Sequence, residues 1–239
     1  MGLGNLPVAL EADFMIHYLQ EVKIGGYSFY ITTTHVALLI VSLVLVIFAI
    51  VVNRKIKNVN PDDTPGMLQN IAEIITDMLG KLVESNMGKN AGRFVNYISS
   101  IFLFILLSNI SGIFGLRAPT ADYGVTLPLG LITFGMIHYC GIKKNKGGHF
   151  KALFEPIPLF FPINLISEVA TPLSLSLRLF GNVMSGTVLL GLIYGLLPVL
   201  VKMGFPAVAH VYFDIFSGCI QAYVFAMLTM VYVNDKISD

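Results

Sequence analysis

This sequence contains few charged residues. Only 12% of its 239 residues are charged, whereas roughly a quarter are charged in an ordinary soluble domain. The hydrophobic share is 55%, and long apolar runs separate the few charges. This composition is typical of a chain surrounded by lipid. The formal net charge of +1 creates no overall field that would attract a polyanion, so we predict no nucleic-acid partner.

Other features that the sequence lacks exclude several function classes. Cys140 and Cys219 both fall inside apolar runs, so they are interpreted as small buried side chains and not as a disulfide or a metal site. The first twenty residues lack the basic segment and apolar core of a signal peptide, so the first spanning segment must direct targeting. There is no His-Glu-x-x-His motif, and Val183-Met-Ser-Gly186 lacks the first glycine of a nucleophile motif. We therefore predict no metal, no cofactor and no catalytic residue.

Five apolar stretches predict an all-α polytopic membrane protein that forms a single membrane domain over residues 1–239. A helix needs roughly 20 residues to cross about 30 Å of hydrocarbon, and the first three stretches have that length. The last two are too long for an upright crossing. At 1.5 Å per residue the fourth would be about 60 Å long, so it must tilt strongly or fold into two spans. The five stretches run over about 34–52, 94–116, 123–142, 159–200 and 204–233.

The basic residues predict the orientation in the membrane. If each stretch crosses once, three basic residues lie on one side of the membrane (Lys23, Arg117 and Lys202). Eleven lie on the other side: Arg54, Lys55, Lys57, Lys81, Lys89, Arg93, Lys143, Lys144, Lys146, Lys151 and Lys236. We therefore predict a plasma-membrane protein whose N-terminal segment, residues 1–33, is outside and whose C-terminus is cytoplasmic.

Residues 65–88, between the first two spans, have the pattern of an amphipathic helix on the cytoplasmic side. Pro65 suits a helix start. Two interpretations stay open: the helix lies along the membrane surface or a partner, or it packs on its own protein as an ordinary surface helix. The apolar residues that recur mostly every three or four positions are Met67, Ile71, Ile74, Met78, Leu82 and Met87.

Arg178 lies near the middle of the fourth stretch, with about twenty mostly apolar residues on either side. An arginine at this depth costs about 2.5 to 17 kcal/mol, depending on how the cost is measured, and is kept where it faces water or a counter-charge. Polar residues share its helical face over more than 20 positions, which favours one long tilted helix that Pro172 can kink. The residues of this polar face are Asn164, Glu168, Thr171, Ser174, Arg178, Asn182 and Ser185.

The fifth stretch repeats the pattern, since His210, Asp214, Ser217 and Gln221 are spaced by four, three and four residues. Single polar residues in a membrane helix usually form hydrogen bonds between helices. Carboxylates differ, because an unpaired carboxylate in hydrocarbon becomes protonated or hydrated. Glu168 and Asp214 therefore predict an ion pathway, and we expect both to line an outer, water-filled passage together with His210.

Three sequence segments make the chain similar to subunit a of the F-type ATP synthases. They are Ser174-Leu-Ser-Leu-Arg-Leu-Phe-Gly-Asn182, followed by Gly186, then Gln221-Ala-Tyr-Val-Phe225 in the last stretch, and Pro162-Ile-Asn-Leu-Ile-Ser-Glu168 upstream. The order of the five apolar stretches also fits this family. The resemblance covers nearly the whole chain and is strongest over residues 156–233, and the small size resembles bacterial members.

This resemblance implies a non-catalytic stator that faces a rotating ring of c subunits and binds the peripheral-stalk b subunits and other ATP synthase subunits. Residues 159–233 would form a tilted hairpin with two aqueous half-channels, and ATP chemistry would reside in other subunits. Arg178 would separate the half-channels and keep the passing ring carboxylate ionised, as a nearby cation does. Asn182 and Gln221 match positions that flank this arginine, and Glu168 and Asp214 match ionisable positions along the half-channels.

One position departs from the family pattern. Many members carry Glu or His five residues after the asparagine, where this chain has Thr187, while Asp214 holds the partner position. The expected proton-relay pair is thus incomplete, and both H⁺ and Na⁺ stay open as the coupling ion, because hydroxyl and carboxylate oxygens suit a hard cation. An ion-coupled secondary transporter is the alternative, although the sequence lacks the internal repeats common in such folds.

Overall fold

The computed structural model describes residues 18–24, 27–57, 66–145, 154, 158–196 and 204–237. Within these ranges a β-hairpin precedes a set of α-helices, and a π-helical segment joins the last two. The bounds are β1 Tyr18–Ile24, β2 Tyr27–Thr32, α1 Thr33–Lys57, α2 Met67–Met87, α3 Ala91–Ile110, α4 Tyr123–Asn145, α5 Phe161–Leu196, α6 Phe205–His210, the π segment Val211–Ser217 and α7 Gly218–Ile237. Short 3₁₀ turns occupy Gly88–Asn90, Ser111–Phe114, Pro119–Ala121 and Pro158–Phe160.

The predicted membrane helices are confirmed. Five helical stretches in the described ranges are long and apolar enough to cross a bilayer, which makes this an all-α polytopic membrane fold. Within the fourth stretch, Phe161–Leu196 is one continuous helix, α5, although Pro172 lies inside it. The alternative of two spans joined by a turn is therefore excluded. The fifth stretch is helical from Phe205 onward, but its backbone changes to a π-helix between His210 and Gly218.

The β-hairpin was not predicted. β1 and β2 pair antiparallel, with Lys23 opposite Ser28 and Val22 opposite Phe29. The sequence signal that could have found it is the Gly25-Gly26 dipeptide between two stretches rich in β-branched and aromatic residues, because such dipeptides favour tight hairpin turns. Residues 1–17 of the predicted N-terminal segment lie outside the described residues.

Helix α2 packs one face on its own protein, whereas a contact of its other face with the membrane surface or a partner stays a prediction. Its last turns pack on the protein, where Leu79, Val83 and Met87 are at most 3% exposed. Its first turns leave Met67 and Ile74 exposed. The buried face is therefore rotated away from the predicted apolar spacing. The helix ends at Gly88, whose φ of 51° lies in the left-handed region that glycine adopts at little cost.

Two apolar cores hold the bundle together. One lies where α4 and α7 end, and its members come from α2, α3, α4 and α7, among them Val83, Phe94, Ile98, Ile137 and Met230. The other joins α3, α5 and α7 (Ile101, Ile105, Leu175, Leu179, Ala222 and Phe225). Leu175 and Leu179 are 3% and 1% exposed, and burying each leucine contributes roughly 1.5 to 3 kcal/mol. Their burial fixes the rotation of α5 and so decides which way Arg178 faces.

Candidate ion pathway

Arg178 lies on the outer surface of the described bundle. Its side chain is exposed, because Leu175 and Leu179 on the adjoining face of α5 are buried against α3 and α7, which turns Arg178 outward. Among the described residues no hydrogen bond or ion pair reaches its guanidinium. The exposed residues on either side of it along this face are small: Ser174, Gly181 and Ser185. Another helix could therefore approach the guanidinium closely.

Asn182, one turn beyond Arg178, connects the two polar faces. Its Nδ2 donates a 2.6 Å hydrogen bond to Oγ of Ser217 in the π segment. Gln221 is half-buried one turn beyond Ser217, on α7. The structure thus brings together Asn182 and Ser217, which the sequence had only assigned to two helices. The bond fixes the π segment against α5 close to Arg178.

Asp214 forms a cluster with His210 and Tyr194, hereafter the Asp214 cluster. His210 Nδ1 lies 2.6 Å from Asp214 Oδ2, and His210 Nε2 lies 3.1 Å from the Tyr194 hydroxyl. With Asp214 ionised, Nδ1–H donates to the carboxylate, and Nε2 of the neutral ring accepts from the hydroxyl. The result is a directed chain of hydrogen bonds from α5 to the π segment. Tyr194 was not predicted, since it lies off the polar face of α5.

The π segment was not predicted either, because no local sequence pattern indicates it. Single π-helical turns inside α-helices are rare and occur frequently at functional sites. This one contains both Asp214 and Ser217. Gly186 of α5 lies opposite Phe213, where a Cβ on the glycine would be 3.3 Å from the phenylalanine Cβ. The small residue therefore lets α5 and the π segment approach closely.

Helix α3 supports the π segment from the other side. Asn109 Nδ2 donates to the Gly218 carbonyl at 3.0 Å, and Thr120 Oγ1 donates to Asn109 Oδ1 at 2.6 Å. Both side chains are buried, so the network is shielded from water. A Cβ on Gly112 would lie 3.1 Å from the Asp214 carboxylate. These residues were missed, although an asparagine inside an apolar span is a usual sign of contact between helices.

Glu168 forms a second cluster with Lys236 and His138, hereafter the Glu168 cluster. Lys236 Nζ donates to Glu168 Oε1 at 2.9 Å, and His138 Nε2 lies 3.6 Å from Oε2. The side chains of Glu168, Lys236 and His138 are 19%, 29% and 23% exposed. Three helices, α4, α5 and α7, therefore meet at one carboxylate. Asn164 is half-buried one turn before Glu168.

The prediction that Glu168 shares one outer passage with Asp214 and His210 is wrong. Glu168 pairs with a residue in the last turn of α7, whereas Asp214 precedes α7. Glu168 also lies ten residues before Arg178 on a continuous helix, which is about 15 Å. An antiparallel hairpin places the start of its first helix beside the end of its second, so the proximity of Glu168 to Lys236 could have been predicted by counting along the two helices.

Thr187 stands where many family members carry the ionisable partner of the Asp214 position, but it does not pair with Asp214. Its hydroxyl donates to the Val183 carbonyl of its own helix at 3.0 Å. The partner of Asp214 is instead His210, one turn earlier on the same chain segment. In the described ranges, no three His, Cys, Asp or Glu residues lie close enough together to hold a metal ion.

The sequence model of the ATP synthase A chain family matches residues 35–234. The chain belongs to this family. It is 38% identical to the sodium-ion-specific ATP synthase subunit a of Propionigenium modestum over 98% of this chain and 83% of the relative. It is 35% identical to the ATP synthase subunit a of Lysinibacillus sphaericus, over 94% of this chain and 99% of the relative. The same subunit of Desulforamulus reducens is also 35% identical, over 98% and 88%.

Membership of the ATP synthase A chain family confirms the resemblance that the sequence segments indicated. It makes the chain an ion-translocating subunit of the membrane sector, which assembles with other ATP synthase subunits, and it removes the ground for the secondary transporter. The structure adds the arrangement of the polar residues in this member. Two carboxylates lie toward opposite ends of the hairpin, and Arg178 lies between them on the exposed surface.

Proposed function

We propose that the chain is the ion-conducting stator of a rotary ATP synthase and performs no ATP chemistry itself. Two aqueous half-channels lead from opposite sides of the membrane to a ring of c subunits. The translocated cation enters through one, rides the ring on a carboxylate and leaves through the other. The Asp214 cluster belongs to one half-channel and the Glu168 cluster to the other, because they lie toward opposite ends of the hairpin.

The exposure of Arg178 is the observation that carries this proposal. A guanidinium in the middle of a membrane span would be costly against lipid, and no described residue pairs with it. Its flanking residues Ser174, Gly181 and Ser185 are small and exposed. These features fit a surface that a carboxylate-bearing helix of the ring passes at short range. There Arg178 keeps the carboxylate ionised and repels cations that would leak directly between the half-channels.

Asn182, Ser217 and Gln221 flank the arginine and keep its surroundings polar. The hydrogen bond between Asn182 and Ser217 holds the two helices of the hairpin in register there. Arginine can meet the ring carboxylate while Asn182, one turn away, shares it. The ring carboxylate is therefore never restricted to a single partner, and the ring can continue to rotate.

The coupling ion is H⁺ or Na⁺, and the Asp214 cluster supports the former. Its chain of hydroxyl, imidazole and carboxylate can pass a proton in steps of 3.1 Å and 2.6 Å. Because the relative from Propionigenium modestum is named sodium ion specific, each transport experiment below measures both ions.

We propose that the chain resides in a bacterial plasma membrane with its N-terminus outside and its C-terminus in the cytoplasm, where the peripheral-stalk b subunits bind. Eleven basic residues against three support this orientation. Lys144 Nζ also donates to the Ile237 carbonyl at 3.1 Å, so the basic end of α4 and the C-terminus lie together. In a variant without Cys140 and Cys219, Lys144→Cys should react with impermeant thiol reagents only from the cytoplasmic side and Phe114→Cys only from outside. External labelling at position 144 would reverse the orientation.

Replacing Arg178 tests the proposal. Lysine's ammonium is a compact charge whose pKa falls on desolvation, whereas arginine stays protonated. Arg178→Lys should therefore abolish ATP-driven ion uptake into vesicles that contain the reconstituted complex, while assembly persists. Arg178→Ala should let ions exchange passively without ATP, because the barrier between the half-channels is gone. Arg54→Lys, at the exposed end of α1, is the matched control. Strong ATP-driven uptake by the Arg178→Lys complex would contradict the separator role.

A further inference from the structure

The carboxylate of Glu168 is already occupied by a cation that belongs to the chain. Lys236 Nζ contacts Oε1 at 2.9 Å, and its side chain is 29% exposed. The other oxygen, Oε2, accepts no hydrogen bond from a described residue, and His138 Nε2 lies 3.6 Å from it, which is longer than a hydrogen bond. One oxygen is therefore bound to an internal ammonium, and the other is without a hydrogen bond in the described part of the chain.

The three helices do not need this ion pair to hold them together. The first core already joins α4 and α7, and the second joins α5 to α7. Lysine carries a compact charge on a flexible four-carbon stem, and Lys236 lies in the last turn of its helix. Its ammonium can therefore leave Glu168 for water without disturbing the packed helices.

We propose that Lys236 is a resident competitor for the translocated cation at Glu168, so that this end of the pathway binds the cation weakly and releases it readily. The inference rests on the proposed function, since it requires that ions pass Glu168. Conduction needs sites that bind strongly enough to admit an ion but weakly enough to let it leave. A bare carboxylate would retain H⁺ or Na⁺, whereas an adjacent ammonium lowers the affinity for either. His138 faces the second oxygen. When its ring is protonated, its positive charge also lowers the affinity of Glu168 for the cation, but by less.

The competition predicts a change in ion affinity and not in assembly. In vesicles where ATP drives uptake from the medium facing the C-terminus, we would vary Na⁺ at fixed pH and pH at fixed Na⁺. Lys236→Gln should lower the half-saturating concentration of the coupling ion by at least about threefold, because removing a nearby charge of the same sign as the ligand strengthens its binding. The maximum rate should stay the same or fall, since release slows. Lys236→Arg should keep the wild-type half-saturation because it keeps the charge.

Two further variants separate competition from a general effect of charge or structure. Lys144→Gln removes the same charge at the same end of the bundle, where Lys144 contacts the Ile237 carbonyl, and should leave the half-saturating concentration unchanged. In a Glu168→Gln background, Lys236→Gln should have no effect on half-saturation, because the carboxylate that both cations compete for is absent. A structural role would instead lower the maximum rate in both backgrounds.

The inference is overturned if Lys236→Gln leaves the half-saturating concentration unchanged, if Lys144→Gln shifts it equally, or if the shift persists in the Glu168→Gln background. The Arg178 variants tell this failure apart from a failure of the proposed function. If Arg178→Ala opens a passive leak while Lys236→Gln changes nothing, the stator function stands and only the competition is wrong. If Arg178→Lys pumps normally, the proposed function falls whatever Lys236 does.

Discussion

The two ends of the hairpin hold their carboxylates in different ways. Asp214 is bound by an imidazole one turn away on the same chain segment, within a π-helical turn. Glu168 is bound by a lysine from another helix, on regular α-helical backbone. An imidazole gains and loses its proton near neutral pH, whereas an ammonium stays charged unless it is strongly desolvated. Under the proposed function, this difference suits one end to stepwise proton transfer and the other to release of a cation in competition with a fixed charge.

The largest effect should come from the Asp214 end. Asp214→Asn removes the acceptor that ends the chain of hydrogen bonds, and groups that transfer protons contribute about 100-fold or more to rates. ATP-driven ion flux should therefore fall by about this factor with normal assembly, while Asp77→Asn on the exposed surface of α2 should change nothing. If the flux of the Asp214→Asn complex equalled that of the unmodified complex across a wide pH range, the Asp214 end would not transfer protons and the proposed difference between the two ends would be wrong.

A smaller effect should come from the close contact that brings α4 to the Glu168 end. A Cβ on Gly130 would lie 2.7 Å from the Pro172 carbonyl oxygen, so Gly130→Ala must push α4 away from α5. Such overpacking typically costs about 1 to 3 kcal/mol, which thermal unfolding of the purified complex would detect. Gly135→Ala on the same helix meets no atom within 4 Å and should be neutral or slightly stabilising. Equal behaviour of the two variants would show that the contact between the helices is not tight.

The smallest effect should come from the surroundings of Asp214. Gly112→Ala places a methyl group 3.1 Å from the carboxylate, and the flexible side chain can move a few tenths of an ångström to accept it. We expect a reduction of flux by about threefold with little change in stability, since the backbone need not shift. Gly92→Ala, which meets no atom within 4 Å, serves as the control. A loss of assembly in the Gly112→Ala complex would mean that the 3₁₀ turn after α3 supports the fold and not the carboxylate.

The spans and the polar faces could be predicted from the sequence because both depend on local periodicity. The length of hydrocarbon fixes how many apolar residues a span needs, and a helix repeats every 3.6 residues. Asn182 and Ser217 were therefore found separately, but their hydrogen bond depends on how two helices pack. The π segment and the place of Tyr194 depend on tertiary contacts with Gly186, Asn109 and the rest of the bundle, which no local pattern encodes.

The grouping of Glu168 with Asp214 failed for a different reason. Periodicity assigns residues to a face but not to a height along the helix, so two carboxylates on matching faces were treated as neighbours. The antiparallel course of α5 and α7 then placed Glu168 beside Lys236. Lys236 had been counted only among the basic residues that set the orientation.

If the proposed ring covers Arg178, the exposed guanidinium makes the stability of this subunit depend on how much of the ring is synthesised. Alone in lipid, the chain bears a free-energy cost of about 2.5 kcal/mol or more at this one residue. This cost is a sizeable fraction of the free energy of unfolding of an ordinary domain. Whatever covers that surface stabilises the chain by mass action. A cell that makes the subunit in excess therefore accumulates copies that are individually less stable, and the balance of synthesis decides how many persist.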